Sequence, residues 1–262
     1  MPIRQTTLVA LAAAIAAGPV QAALFDRGNG LIYDDVLDIT WLQDANYAHS
    51  IGAGHMGSGE FRWADAVAWV AALDYRGYTA WRLPTVAPVN GTSFQRAFSN
   101  NGSTDFGYAR TGPDGGWRDG AGKPVSELGH MFYVNLGNAG ACMPLDATPD
   151  GCNPPAEYGA VNTHFVDGAT GLQVAITGIV EGWYVTGTEL SERQSWEFSF
   201  SYGGSHVSGK QPGWVWPVSD GDIAGSSQDA PEPPGLALLA AGLAGLLGRA
   251  RRQRPAAPTP RA

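Results

Sequence analysis

Apolar and polar positions change period several times along this chain, and each change predicts an element. In residues 62–73, Trp63, Val67 and Val70 recur at i, i+4, i+7 with Ala66 and Leu73 beside them, which predicts a helix with one buried face. Ser58 or Glu60 is placed to satisfy its first amides. Residues 126–136 repeat the helical spacing at Leu128, Met131, Phe132 and Leu136, with Ser126 as a cap. Elsewhere the period is two. Residues 31–33 and 39–42 predict a hairpin, residues 78–83 a strand stopped by Pro84, and residues 163–166, 172–176, 182–187, 195–202 and 213–218 a series of short strands. Residues 195–202 alternate cleanly, with Trp196, Phe198, Phe200 and Tyr202 on one face. Residues 50–59 form a glycine-rich connector and residues 100–122 a long surface loop or wide hairpin. The expectation is one α+β domain over residues 23–222, with two main helices, short antiparallel strands and long loops.

Both ends break these periods. Residues 8–17 are apolar with no polar face, follow Arg4 and precede Val20-Gln21-Ala22, so residues 1–22 are expected to be a signal peptide cut between Ala22 and Ala23. At the other end a polar linker, residues 223–230, leads to Pro231-Glu232-Pro233-Pro234. An apolar run over residues 235–248 follows, then Arg249, Arg251, Arg252 and Arg254, and residues 255–262 are expected to be a disordered tail. The run has 14 residues, whereas a comfortable bilayer span needs about 20. Snorkelling arginines make a short or tilted transmembrane helix feasible, with the basic tail in the cytoplasm. In order and position, residues 231–254 resemble the PEP-CTERM sorting signal of Gram-negative bacteria. The resemblance implies processing by an exosortase near Pro231, Glu232 and Pro233, transient association with the inner membrane, and delivery to the cell surface or extracellular matrix in a biofilm or exopolysaccharide setting. An ordinary C-terminal anchor is the alternative, and both place the domain outside the cytoplasm.

Composition narrows the partners. The chain carries a formal charge of -8. A product running from Ala23 to Glu232 keeps 10 basic and all 24 acidic residues, a formal charge of -14. Such a surface disfavours nucleic acid and sulfated glycans and suits cations or neutral sugars. The 36 glycines predict many turns. Cys142 and Cys152 bracket a Pro/Asp/Gly loop, and in an exported protein a local disulfide is the default.

A second resemblance rests on residues 39–45 (ITWLQDA), 63–66 (WADA), 77–85 (GYTAWRLPT) and 127–133 (ELGHMFY), with the strand and its Ser219-Asp220-Gly221-Asp222 end closing the set. These blocks are similar to the family of the C-terminal domain of the Legionella collagen-like adhesin. The Trp-Arg-Leu-Pro-Thr block is also similar to one in C-type-lectin-like folds, including the formylglycine-generating group. The resemblance implies a C-type-lectin-like domain and a non-enzymatic role in binding glycans or other matrix components. The acidic residue often found after Leu-Pro-Thr is absent from residues 86–89, which places a remodelled helix start at Thr92 or Ser93.

Candidate chemistry is sparse. No Gly-x-Ser-x-Gly or catalytic cysteine block occurs, and the five histidines are dispersed, so no catalytic residue is assigned. Glu127 and His130 have Glu-x-x-His spacing without the second pair and the further carboxylates a di-iron site needs. Asp146 and Asp150 in the cysteine loop, and Asp114 and Asp119 in the long loop, are oxygen ligands of the kind calcium takes, though the EF-hand order is missing and turn formation is the preferred explanation. Trp63, Trp81, Trp196 and Trp216 are expected in the core, which leaves Trp117, with Asp114 and Asp119, as the candidate sugar contact. A structural matrix protein without a discrete ligand and a secreted enzyme are the alternatives.

Overall fold

The computed structural model of the chain describes residues 23–142 and 161–225. The expected signal peptide, Cys152, Asp146, Asp150, and the sorting motif, apolar helix and basic tail lie outside those residues. The chain divides into two compact units, Met1–Gly221 and Asp222–Ala262. Of the second, residues 222–225 are described, a turn in which Gly225 donates to the Asp222 carbonyl at 3.1 Å.

The first unit is built mostly from strands. In chain order it runs β1 (Leu24–Gly28), β2 (Leu31–Asp34), β3 (Ile39–Leu42), α1 (Tyr47–Ser50), β4 (Glu60–Phe61), α2 (Trp63–Ala71), β5 (Trp81–Arg82), β6 (Phe98–Ser99), β7 (Phe106–Gly107) and α3 (Glu127–His130). A π-helical turn over Met131–Asn135 follows, then β8 (His164–Val166), β9 (Gln173–Ala175), β10 (Trp183–Ser191), β11 (Gln194–Ser199), β12 (Ser205–Ser208), β13 (Gly213–Trp214) and β14 (Val218–Asp220). A five-stranded sheet has the order β1-β2-β3-β14-β5, a seven-stranded sheet the order β4-β13-β10-β11-β12-β7-β6, and β8 and β9 form a separate ribbon. The first sheet is antiparallel throughout, while β10/β13 and β6/β7 pair in parallel in the second.

This architecture overturns the expected α+β, C-type-lectin-like fold with two main helices. The α-helices have four, nine and four residues, and three sheets supply the framework. The helical periodicity in residues 62–73 is real, but the helix it makes is short. It buries Ala66 and Val70, while Val67 points outward at 38% exposure. No side chain caps α2, so neither Ser58 nor Glu60 plays the expected part. The second expected helix breaks into α3 and the π-helical turn. Ser126 does cap α3, its Oγ accepting from Gly129 N at 3.2 Å. No helix starts at Thr92 or Ser93; the Asn90 side chain closes a turn there by accepting from both amides. Among the described residues no helix is long and apolar enough to cross a membrane.

An aromatic cluster fills the space under the seven-stranded sheet. Trp41 and Trp216 meet with ring centroids 4.9 Å apart, and Phe200, Tyr184, Phe198, Phe132, Tyr133 and Trp117 continue the cluster. Burying each large side chain of this kind stabilises by about 1.5–3 kcal/mol. The predicted alternation puts Trp196, Phe198 and Phe200 inside as expected. Tyr202, assigned to the same face, is 43% exposed, because the strand ends at Ser199 and the chain turns through Gly203 at φ +75°.

Candidate functional site

The residues singled out in the long loop do not form a ligand site together. Trp117 is 2% exposed, and its Nε1 donates to the Thr104 carbonyl at 2.9 Å. Its ring packs so closely on α3 that a Cβ on Gly129 would lie 2.7 Å from it, so Trp117 is a core residue and cannot stack on a sugar. The glycine-rich stretch around it reads as surface loop because its single anchor is invisible to periodicity. Asp119 spends its carboxylate on the Ala121 and Lys123 amides, both at 2.9 Å. Asp114 is exposed at the loop tip. Asp119 also lines a groove of about 300 Å³ with Thr85, Lys123 and Glu127. Among the described residues no group of three or more His, Cys, Asp or Glu is arranged to hold a metal ion. Cys142 is disulfide-bonded.

The blocks of sequence that carry the second resemblance meet elsewhere. Arg82 on β5 makes a bidentate pair with Glu127 at the start of α3, two bonds of 2.8 Å, and binds Asp220 on β14 through Nε at 2.9 Å and Nη2 at 2.6 Å. Glu127 also accepts from Thr85 N at 2.7 Å. Burial alone lowers the affinity of the guanidinium for its proton; the two carboxylates more than reverse that and raise its pKa. These groups hold β5, α3 and β14 together, and every formal charge has a partner. The arrangement is a tie between elements. His130, one turn further on, is 1% exposed, and neither ring nitrogen has a hydrogen-bond partner. Burial, helped by the Arg118 charge, pushes its pKa down to about 3, so it sits neutral in the core.

The exposed chemistry lies on the outer face of the seven-stranded sheet. Side chains alternate across a strand, so every second residue on β10, β11 and β12 points away from the aromatic core, although Val185, Ser195 and Ser199 on that face are themselves buried. Trp183, Glu197 and His206 are such residues, all half-buried. His206 is the hub: its ring centroid lies 5.0 Å from Trp183, 4.8 Å from Phe106 and 6.2 Å from Tyr108. Phe98 extends the group from Tyr108 at 6.0 Å, and Tyr202 extends it from Trp183 at 6.5 Å. Phe98 is 56% exposed, so the platform opens to solvent at both ends. Its floor depends on Gly204, where a Cβ would come within 2.5 Å of His206 Nε2.

Polar groups frame these rings. Glu197 pairs with His206 across the β11/β12 ladder. Burial raises the pKa of its carboxyl, and a hydrogen bond with Ser208 opposes that rise. Burial lowers the pKa of His206, leaving a neutral imidazole at pH 7. An apolar surface carrying hydrogen-bonding edges and no net positive charge suits a ligand with one C–H-rich face and many hydroxyls. Sequence reading missed this site because its rings come from five separate segments. The available signal was the other half of each alternation, Trp183 beside buried Tyr184 and His206 beside buried Ser205. No protein-family model matches the chain, and no similar curated protein or solved structure is found.

Proposed function

We propose that this chain is an exported surface or extracellular-matrix protein that binds neutral glycans, without catalysis, on the aromatic platform centred on His206. The observation that carries the reading is the run of six contiguous rings, Phe98, Phe106, Tyr108, His206, Trp183 and Tyr202, on the sheet face opposite the aromatic core. Exposed aromatic surface costs solubility and is retained where it meets a partner. The acidic balance of the chain favours uncharged sugars over sulfated ones.

Export is the second half of the proposal and rests on the sequence of both ends. The PEP-CTERM resemblance at Pro231, Glu232 and Pro233 supports processing by an exosortase, and the adhesin-type blocks support a matrix role, while the lectin-like fold that accompanied them is set aside. In a host with an exosortase, replacing Pro231-Glu232-Pro233 by alanines should leave an unprocessed, larger, membrane-retained protein; unchanged size and location would refute the sorting claim. A glycan array probed with the purified protein, with and without calcium, tests the ligand. Binding to neutral glycans that Trp183→Ala weakens by about tenfold or more, the order of one lost stacking contact, is expected. Binding that survives Trp183→Ala would move the site away from the platform, and binding only with calcium would return attention to the acidic loops.

A further inference from the structure

Two of the nine asparagines begin the pattern Asn-x-Ser/Thr with x other than proline: Asn90-Gly91-Thr92 and Asn101-Gly102-Ser103. That spacing is the acceptor pattern for asparagine-linked sugars on exported chains. A pattern this short carries weight only where the fold presents it, so the geometry of the two turns decides. Both lie between β5 and β7. Residues 90–93 are exposed, and so are Asn101 and Ser103.

The two asparagines take the same local shape. Asn90 Oδ1 accepts from Thr92 N at 2.9 Å, from Thr92 Oγ1 at 3.1 Å and from Ser93 N at 3.0 Å. Asn101 Oδ1 accepts from Ser103 N at 3.0 Å. In such turns the carboxamide oxygen is occupied by the chain ahead of it. The nitrogen is not: neither Nδ2 donates to any described residue. By contrast, the Nδ2 groups of Asn46, Asn135 and Asn162 are spent on the Ser58 carbonyl, the Asp34 carboxylate and the Leu136 carbonyl. The turns are also braced. Asp105, 1% exposed, accepts from Val89 N at 2.7 Å and from Gln95 N at 2.6 Å, so one buried carboxylate clamps both sides of the first turn. In the second, Gly102 N donates to the Tyr108 carbonyl at 2.8 Å. Gly91 N is likewise bonded, to the Pro88 carbonyl at 2.9 Å. Both glycine amides are thus held back from closing on the preceding carboxamide carbon, the ring closure that turns Asn-Gly into aspartate.

We propose that Asn90 and Asn101 are acceptors for an N-linked oligosaccharide. The proposal rests on the export half of the functional reading, because the donor is a sugar carried through a diphosphate on a membrane lipid and a separate transferase joins it to the chain outside the cytoplasm. In the step, Nδ2 attacks the anomeric carbon of the sugar. A C–N bond forms, the C–O bond to the diphosphate breaks, and the diphosphate leaves with the electron pair. One amide proton passes to a base of the transferase. Hydrogen bonds at Oδ1 favour this step, since they stabilise on oxygen the negative charge that builds as the nitrogen gives up its proton. Thr92 supplies two such bonds to Asn90, one from its amide and one from the hydroxyl that defines the pattern.

Peptide mass mapping of the protein purified from the cells that produce it tests the assignment. The peptides holding Asn90 and Asn101 should carry hexose or N-acetylhexosamine. Asn90→Gln and Thr92→Ala should each strip the first site completely, Thr92→Ser should keep it, and Asn101→Gln should strip the second. All these positions are exposed, so each variant should melt as the parent does. Sugar on one peptide alone supports that acceptor and overturns the other. Sugar that survives Asn90→Gln is linked to a hydroxyl and overturns the assignment at that turn. Bare asparagines, or aspartate in their place, overturn both. The N-terminus read in the same spectra separates this proposal from the one beneath it: a bare chain that starts at Ala23 loses the modification and keeps export, whereas a bare chain with residues 1–22 still in place refutes the two together.

Discussion

The same three strands, β10, β11 and β12, carry aromatic residues on both faces, and the two faces are built differently. The inner face packs Phe198, Phe200 and Tyr184 to essentially zero exposure against Phe132 and Trp216, which meets Trp41, and buries Trp196 against Phe94. The outer face gathers a comparable set of rings, with His206 in the middle, and leaves them half-open. Folding needs the first set, since each ring there removes a large apolar area from water. The second set stays half-open, and the proposed ligand contact rests on it.

Cutting into the inner face should have the largest effect. Trp216→Ala removes a fully buried ring and the 2.7 Å bond from its Nε1 to the Leu42 carbonyl. A loss of about 3–5 kcal/mol is expected in urea melts, enough to unfold a marginal domain.

Acid sharpens the comparison, because the groups with strong leverage are both buried. The folded pKa of His130, about 3, lies below its ordinary 6.5. The unfolded chain therefore takes up that proton first, and stability is lost as pH falls through this window. Asp34 is opposite: burial raises its pKa from 3.8 to about 6 against hydrogen bonds from Leu37, Asn135 and Val36. Its contribution is complete below 3.8 and is lost as pH rises through 6. Between pH 6 and 3.8 the two slopes oppose each other, so stability should stay nearly level and fall only below that range. Asp34→Asn removes the counterweight, and melts from pH 6 to 4 should then show a further decline of about 2–3 kcal/mol relative to the parent. His130→Leu should flatten the fall below pH 3.8. Parallel profiles for parent and variants would disprove the assignment.

The smallest effect on stability belongs to the outer face. Gly204→Ala puts a methyl against His206 Nε2, the movable end of a side chain. The melting curve should shift by less than about 1 kcal/mol, while glycan binding drops because the central ring is displaced. A large loss of stability would show that the platform is structural after all.

How far the sequence could be read follows from this division. Clean alternation in residues 195–202 identified the inward face, because a buried strand writes its period directly into the chain. The outer face writes nothing comparable: Phe98, Phe106 and Tyr108 stand in a stretch rich in glycine and asparagine, and only strand pairing brings them to His206. Helix length was overestimated for a related reason. The spacing in residues 126–136 is helical, but Trp117 packs against Gly129 and the turn after His130 widens into a π-helix, neither of which spacing predicts. Trp117 itself was misplaced because a ring anchoring a loop from beneath leaves no periodic trace. Arg82, Glu127 and Asp220 stood in three noted blocks, yet their meeting point depends on β14 lying next to β5.

That placement of β14 also governs when the domain can form. Val218 pairs with both Trp41 and Arg82, so a strand near the end of the unit sits between two made far earlier. At synthesis rates of about 5–20 residues per second, the first hairpin waits on the order of ten seconds or more for its neighbour. Until residue 220 has emerged, β3 has an unpaired edge, β5 has no strand partner, and Arg82 lacks one of its two carboxylates. The five-stranded sheet therefore closes only after residue 220 has emerged, and a polypeptide stopped short of β14 would leave β3 and β5 without the strand that joins them.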